Sequence, residues 1–264
     1  MRDKTGEEEE IMGKVKEFMK KYWATAVIFM GMAAAYYVMS SSDAANSYLF
    51  PPAEDIVNSF IENPGLFGTN LLSSFGLLVP SVAIAIVLSI AIGVPVGLNK
   101  KLREALHPVL YTVSVVPSIL LSPFALMLAP DFRSASIFLM IYGCMFPTVF
   151  ATITGIQTID KRYLDNANTL ELKGFQKLTK VILPAASPSI FSGLITTMRG
   201  SFLMLAYVEM YGAKYGMGFF VRKYSEYGMY QNVWSGFIFM VVVLVIVMQI
   251  FETIKSRALK WSSN

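Results

Sequence analysis

Residues 63–99, NPGLFGTNLLSSFGLLVPSVAIAIVLSIAIGVPVGLN, run for 37 positions without an Asp, Glu, Lys or Arg. A hydrocarbon core about 30 Å thick needs only about 20 apolar residues, because a spanning backbone has to satisfy its own hydrogen bonds and does so as helix. This stretch therefore reads as a membrane crossing with turns to spare. Outward from it, five further intervals lack the same four residue types: 22–42, 105–130, 134–159, 181–198 and 227–251. The expected helices fall near 22–40, 71–98, 107–129, 134–155, 187–210 and 233–254. The predicted fold class is an all-α membrane protein with six transmembrane helices.

Composition agrees. The 264 residues are 55% apolar and only 15% charged, with a mean hydropathy of +0.53. A soluble domain carries about 25% charged residues, so the main solvent of this chain is lipid and the composition argues against a soluble enzyme. An aromatic share of 13% with 18 Gly and 12 Pro excludes disorder and collagen. Cys144 is alone and cannot form an internal disulfide; His107 is alone and cannot build a His-rich metal site. No cofactor is expected, and the 16 Met read as adaptable packing.

The charges report orientation. Seventeen of the 22 Lys and Arg lie in the tail 1–21, the loop after the second span, the segment before the fifth and the tail 255–264. Four lie in the alternate loops, Arg133, Lys214, Arg222 and Lys223, and the last, Arg199, lies inside the fifth span. The positive-inside bias predicts an N-in/C-in protein with both tails cytoplasmic. A net charge of +4 is thus topological, and no nucleic-acid partner is expected. The first span is expected to be retained rather than cleaved as a signal peptide, since its apolar run is long and Glu7–Glu10 precede it.

Between the spans, Pro51, Pro52, Asn63, Pro64 and Gly65 bracket Ala53–Glu62, where Ile56, Val57, Phe60 and Ile61 recur at helical spacing. A short amphipathic helix at the outer interface is expected there. Gly93, Pro95 and Gly97, and Pro117 and Pro123 with Ser114, Ser118 and Ser122, read either as helix packing or as the lining of a path that changes shape. Residues 160–187 are amphipathic and too long for a mere connector. Leu164, Ala167, Leu170 and Leu172 approximate one helical face, Gly174 breaks it, and Leu178, Val181, Ile182 and Leu183 resume an apolar pattern ending at Pro184 and Pro188. This predicts a knob below the membrane that serves as a docking surface.

The knob resembles the cytoplasmic coupling loop of the inner-membrane permease subunits of binding-protein-dependent ABC importers. Their pattern, Glu-Ala-Ala, then Gly, then an apolar-Leu-Pro, is similar to Asp165-Asn166-Ala167, Glu171 or Gly174, and Val181-Ile182-Leu183-Pro184. Glu171 stands at the usual Gly position, and Gly174 stands where some sulfonate-type members also have Gly. Leu49-Phe50-Pro51-Pro52 with Glu54, the run Ile92–Leu98, and Val208-Glu209-Met210 with Gly212-Ala213 and Gly216-Met217-Gly218 are similar to stretches of the nitrate, sulfonate and taurine branch. The resemblance implies a permease domain over residues 22–254 whose coupling loop docks a dimer of ATPase subunits through Asp165, Asn166, Ala167, Leu170, Glu171, Gly174 and Pro184. It also implies an extracytoplasmic substrate-binding protein, a second permease subunit in a homodimer, and a prokaryotic cytoplasmic membrane. The implied cargo is a small anion such as a sulfonate, taurine or nitrate, with a heterocyclic vitamin precursor as the alternative.

Two charges lie within the fifth span, and both are candidates for the substrate path. A charge inside a bilayer normally faces a cavity, a partner or the substrate. Ten residues separate Arg199 from Glu209, about 15 Å of rise and roughly 80° of rotation, so the two cannot pair on one straight helix. Arg199 reads either as a guanidinium presented to an anion in the path or as a donor to backbone carbonyls of a kinked neighbour or a subunit interface. Glu209 reads as a path group or as an interfacial cap. No Gly-rich Lys-Ser/Thr phosphate loop is present, so ATP hydrolysis is expected in a separate subunit and no enzyme activity in this one. An intramembrane enzyme would need a nucleophile, base and oxyanion donors that the spans do not offer. A stand-alone secondary transporter, using Arg199 and Glu209 as coupling groups, is the other alternative.

Overall fold

The computed structural model describes residues 23–24, 27–41 and 49–262. The expected tail 1–21, and with it the lead of the first span, lies outside them. In chain order the helices are α1 (Val27–Ser41), α2 (Ala53–Glu62), α3 (Pro64–Leu98), α4 (Lys100–Val115), α5 (Ser122–Leu128), α6 (Phe132–Gln157), α7 (Lys161–Thr169), α8 (Gly174–Lys177), α9 (Leu183–Gly212), α10 (Met217–Glu226) and α11 (Tyr230–Ala258). No strand occurs among the described residues. Four segments are long and apolar enough to cross a membrane: α3, α6, α11, and the 39-residue helix Gly174–Gly212 that joins α8 to α9. α4 and α5, with the 3₁₀ turn Ser118–Leu121, pass the same test only as a pair bent by 79°. α1 is shorter over its described part.

α6 runs between α3 and α9, and small residues set the spacing. A Cβ on Gly93 would fall 2.7 Å from Thr152, and one on Gly193 2.5 Å from Ala151. In lipid the hydrophobic effect does not pull helices together, so close packing and hydroxyl bonds do, each polar bond contributing about 0.6 kcal/mol. Thr197 donates to the Cys144 carbonyl at 2.7 Å and lies 2.9 Å from the Thr148 hydroxyl. Ser89 reaches the Met145 carbonyl and Ser189 the Ala151 carbonyl, both at 2.8 Å. An apolar cluster that includes Leu78, Leu139, Met198 and Leu205 fills one half of this sandwich. Pro80 has no N–H to give the Gly76 carbonyl, and Arg133 Nη2 donates to that carbonyl instead, at 3.2 Å.

Three local expectations are corrected. The crossing at 107–129 is not one helix: Pro117 cannot donate and forces Val116 into extended backbone (ψ 117°), which ends α4. The second helix of the knob does not stop at Pro184. A π-helical turn over Leu178–Ile182, in which the Leu183 N–H donates to the Leu178 carbonyl, absorbs the proline at the start of α9. Leu170 and Leu172 do not continue the face of Leu164 and Ala167, because α7 ends at Thr169. The short helix expected at Ala53–Glu62 is present as α2. α4 has no buried residue, and the most apolar stretch of α11 has none either; each rests a half-buried edge on the bundle, Leu102 and Leu110 of α4 beside Val149, and Val243, Leu244 and Val247 of α11 against the apolar cluster, and leaves its other side exposed.

Candidate functional site

The knob is built by its caps. Asp160 Oδ1 accepts the Arg162 N–H at 2.9 Å, and Oδ2 accepts the Arg162 guanidinium at 2.6 Å. That guanidinium, with the amide beside it, holds the Asp160 carboxyl below the usual carboxylate range. At the other end of α7 the Glu171 N–H donates to the Asn168 carbonyl and the Leu172 N–H to the Ala167 carbonyl, both at 3.0 Å. This is the Schellman closure, which needs a left-handed residue after the cap. Glu171 supplies it at φ 54°, and Gly174 reverses the chain at φ 52° to open α8. Lys177 Nζ then donates to Asn168 Oδ1 at 2.7 Å, tying the two helices together.

Ala167 is buried, and Leu164, Leu178 and Ile182 pack on Val94, Ile156, Ala186 and Ile190, so the knob sits on one end of α3, α6 and α9. Its outer side is apolar yet exposed: Tyr163 is 50% exposed, Leu170 70% and Phe175 78%. An open groove of about 320 Å³ is lined by Tyr163, Asn166, Ala167, Leu170, Lys180, Val181, Pro184, Ala185 and Trp261. Four of the sequence-predicted docking residues, Asn166, Ala167, Leu170 and Pro184, thus meet in one place. Asp165, Glu171 and Gly174 are exposed on the same knob but outside the groove lining.

The two charges of α9 face different surroundings. Arg199 is exposed on a face shared with Ser192, Thr196 and Leu203, and makes no hydrogen bond or ion pair with any described residue. Glu209 is fully buried. Its Oε2 accepts the Gly218 N–H at 2.8 Å, while the Met217 N–H donates to Ser74 Oγ and the Gly216 N–H to Asn70 Oδ1, both at 2.9 Å. First-turn amides lack partners inside their own helix, and the positive end of the helix dipole favours an anion there. The carboxylate therefore pins α10 to α9, and two side chains of α3 complete the node. Oε1 accepts no hydrogen bond from the described residues. Gly216 has φ 126°, and a Cβ on it would lie 2.4 Å from the Glu209 carboxyl.

The sequence reading missed Asn70, Ser74 and Trp261. Asn70 and Ser74 left a signal, two polar residues four apart and so on one helical face, though Thr69, Ser73, Ser81 and Ser89 share the span and blur it. Trp261 left none, because only the return of the chain past the end of α11 carries it to α7.

A tight three-helix core, a broken crossing, and an amphipathic knob continuous with a spanning helix define a multi-pass membrane protein of the permease class. The chain belongs to the family of inner membrane components of binding-protein-dependent transport systems, whose pattern matches residues 85–260. It is 27% identical over 157 residues to a putative aliphatic sulfonates transport permease protein, SsuC, of Bacillus subtilis (strain 168), covering 60% of this chain and 57% of the relative. It is 32% identical over 114 residues to the nitrate import permease protein NrtB of Leptolyngbya laminosa, covering 43% and 41%. The chain thus aligns with about half the length of these relatives. A chain of the MetNI methionine ABC transporter in inward-facing conformations superimposes with a TM-score of 0.56 at 17% identity, covering 74% of this chain and 97% of that one, which is a likeness of fold.

Proposed function

We propose that two copies of this chain form the translocation path of an ABC importer for a small anion of the sulfonate or nitrate type, driven by a pair of separate ATPase subunits docked on residues 160–187. In this reading the protein crosses six times with both tails cytoplasmic and receives its cargo from an extracytoplasmic binding protein. The observation that carries it is the knob: large apolar side chains held in water by a capped, cross-tied scaffold are a handle for another protein. Asp165, Asn166, Ala167, Leu170, Glu171, Gly174 and Pro184 are the proposed contact surface. The knob leads without a break into α9, so displacement of the knob is felt along the helix that carries Arg199. Nucleotide shifts the pair between inward-open and outward-open states only because the closed ATPase dimer binds one arrangement of the two knobs more tightly.

Arg199 supplies the anion preference. It has no ion-pair partner among the described residues and stands exposed at mid-helix, and a guanidinium matches the oxygens of a sulfonate, nitrate or carboxylate in plane and charge. Glu209, at the other end of α9, would serve the path indirectly by fixing α10. The apolar, unburied α4 and α11 supply faces for the second copy and for lipid. Purification of the complex tests the reading: an ATPase subunit copurifies with the native chain, and Gly174→Pro or Asp165→Lys releases it while the chain stays folded. Retention of the ATPase by both variants would refute the docking surface.

A further inference from the structure

Beside Phe132, where α3, the start of α6 and the turn after α9 meet, lies an open cavity of about 260 Å³. That is a little under the room a drug-sized ligand takes, and it suits a small ion with a few waters. The wall holds two cations, Arg133 and Lys214, and the hydroxyls of Ser73 and Tyr215. Arg133 is fixed rather than free, because its Nη2 donates to the Gly76 carbonyl, and that bond leaves the rest of its N–H fork uncommitted. Lys214 and the two hydroxyls make no hydrogen bond or ion pair with a described residue. The turn that carries Lys214 and Tyr215 is pinned a residue later, where the Gly216 N–H donates to Asn70 Oδ1.

Acids are kept out of this wall. Asp131 caps α6 by accepting the Ser134 N–H at 2.7 Å, Glu209 is fully buried and accepts the Gly218 N–H, and neither lines the cavity. Two positive charges and free hydroxyls, set on three elements already fixed in place, are preorganised for a ligand whose oxygens accept several hydrogen bonds at once.

We propose that this cavity is an oxyanion site, taking a sulfonate, sulfate or phosphate group either as a free ion or as the headgroup of an anionic lipid. It is distinct from Arg199, which lies about 20 Å away along α9. The ion ties α3, α6 and the α9–α10 turn together at the end of the bundle that Glu209 already joins. On the N-in/C-in reading the site opens to the outside; the binding itself does not rest on that reading.

Cysteine labelling of the assembled complex tests it, because the native Cys144 is buried. Ser73→Cys is treated with a methanethiosulfonate that carries a sulfonate and, in parallel, with its trimethylammonium counterpart. The ratio of the two rates reads the local potential, and the control is Gly68→Cys, exposed on the same helix with open space at its Cβ. At Ser73→Cys the anionic reagent should be favoured about tenfold over the control. Lys214→Gln, which removes no hydrogen bond or ion pair with a described residue, should erase most of that preference, and so should Arg133→Gln. Methanesulfonate at constant ionic strength should slow the labelling saturably, and chloride should not. Tyr215→Cys gives the same readings if Ser73→Cys fails to assemble. Equal ratios at the two positions, or slowing by any salt alike, would overturn the site. Vesicles decide the source: labelling slowed by phosphatidylglycerol relative to the control position, with no further protection by methanesulfonate, assigns a headgroup, whereas saturable protection with phosphatidylglycerol and with phosphatidylcholine alone assigns a free ion. Arg199→Gln should leave these readings in place. Protection lost in Arg199→Gln but kept in Lys214→Gln would put the ion at Arg199, overturning this site and sparing the path reading.

Discussion

The two ends of α9 treat charge in opposite ways. At the Glu209 end a carboxylate is removed from solvent, and three consecutive amides, those of Gly216 and of the first two residues of α10, are distributed over α3 and α9. At the knob end, charges and large apolar groups stay exposed, and a glutamate occupies a left-handed position that costs it energy. A buried hydrogen-bonded charge welds the elements it joins, because breaking it exposes every partner to desolvation at once. An exposed cap only shapes a surface. α10 is therefore expected to move as one body with α3 and α9, whereas the knob is free to be gripped. The sharpest attempt to break this contrast is Gly216→Ala. The backbone at φ 126° is strained for any L side chain, by about 1–3 kcal/mol, and the new methyl would also collide with the Glu209 carboxyl. A loss of about 3 kcal/mol or more in total follows, read as a large fall in thermal midpoint in detergent. A midpoint within a degree of native would show that the node is soft.

Next in size is Glu209→Ala. It leaves the Gly218 amide unpaired inside the protein and costs about 1–3 kcal/mol. Glu209→Gln keeps an acceptor at the same place without the charge and should fall between the two. Limited trypsinolysis at Arg222 and Lys223 reports whether α10 has come loose. If Glu209→Ala leaves cleavage at its native rate, the carboxylate does not pin the helix.

What the sequence disclosed follows from where the information is stored. Four of the expected crossings, those that became α3, α6, α9 and α11, and the amphipathic α2 were legible because a bilayer imposes a local rule on every residue within its depth. The break at Val116–Pro117 carried a visible cause, yet its 79° bend depends on the neighbours that receive the chain afterwards. The helix continuing through Pro184 was not legible, since a π turn is a register change within the backbone and not a residue type. At the site, Asn166, Ala167, Leu170 and Pro184 were foreseen and do meet in one groove, though Leu170 lies beyond the helix it was expected to extend. The surroundings of Glu209 were closed to inspection because Asn70 and Ser74 stand more than a hundred residues away in sequence.

Arg199 marks the middle of the comparison, a charge in the same helix with neither a weld nor water-side neighbours. Arg199→Ala removes no hydrogen bond or ion pair with a described residue and truncates an exposed side chain, so stability should hold within about 0.5 kcal/mol. On the proposed reading, uptake of an anionic solute should instead show an apparent KM raised about tenfold, equivalent to about 1.4 kcal/mol, with Arg199→Lys between the two. An unchanged KM in fully assembled complexes would move Arg199 out of the path.

The smallest effect sharpens the knob. Glu171 pays the steric cost of φ 54° at the position where the Schellman closure favours glycine. Glu171→Gly should therefore stabilise the end of α7 by up to about 1 kcal/mol, since the left-handed conformation costs an L residue about 1–2 kcal/mol and glycine returns part of it through a looser unfolded chain. The gain belongs to the backbone, so it should appear as slower hydrogen exchange at the Glu171 and Leu172 amides, which close the cap, and not at those of α10. If ATPase retention is unaffected, the carboxylate itself is not a contact and the strained residue merely tolerates its place. If retention falls while the cap tightens, the protein keeps a glutamate where its backbone prefers glycine because the partner reads that charge.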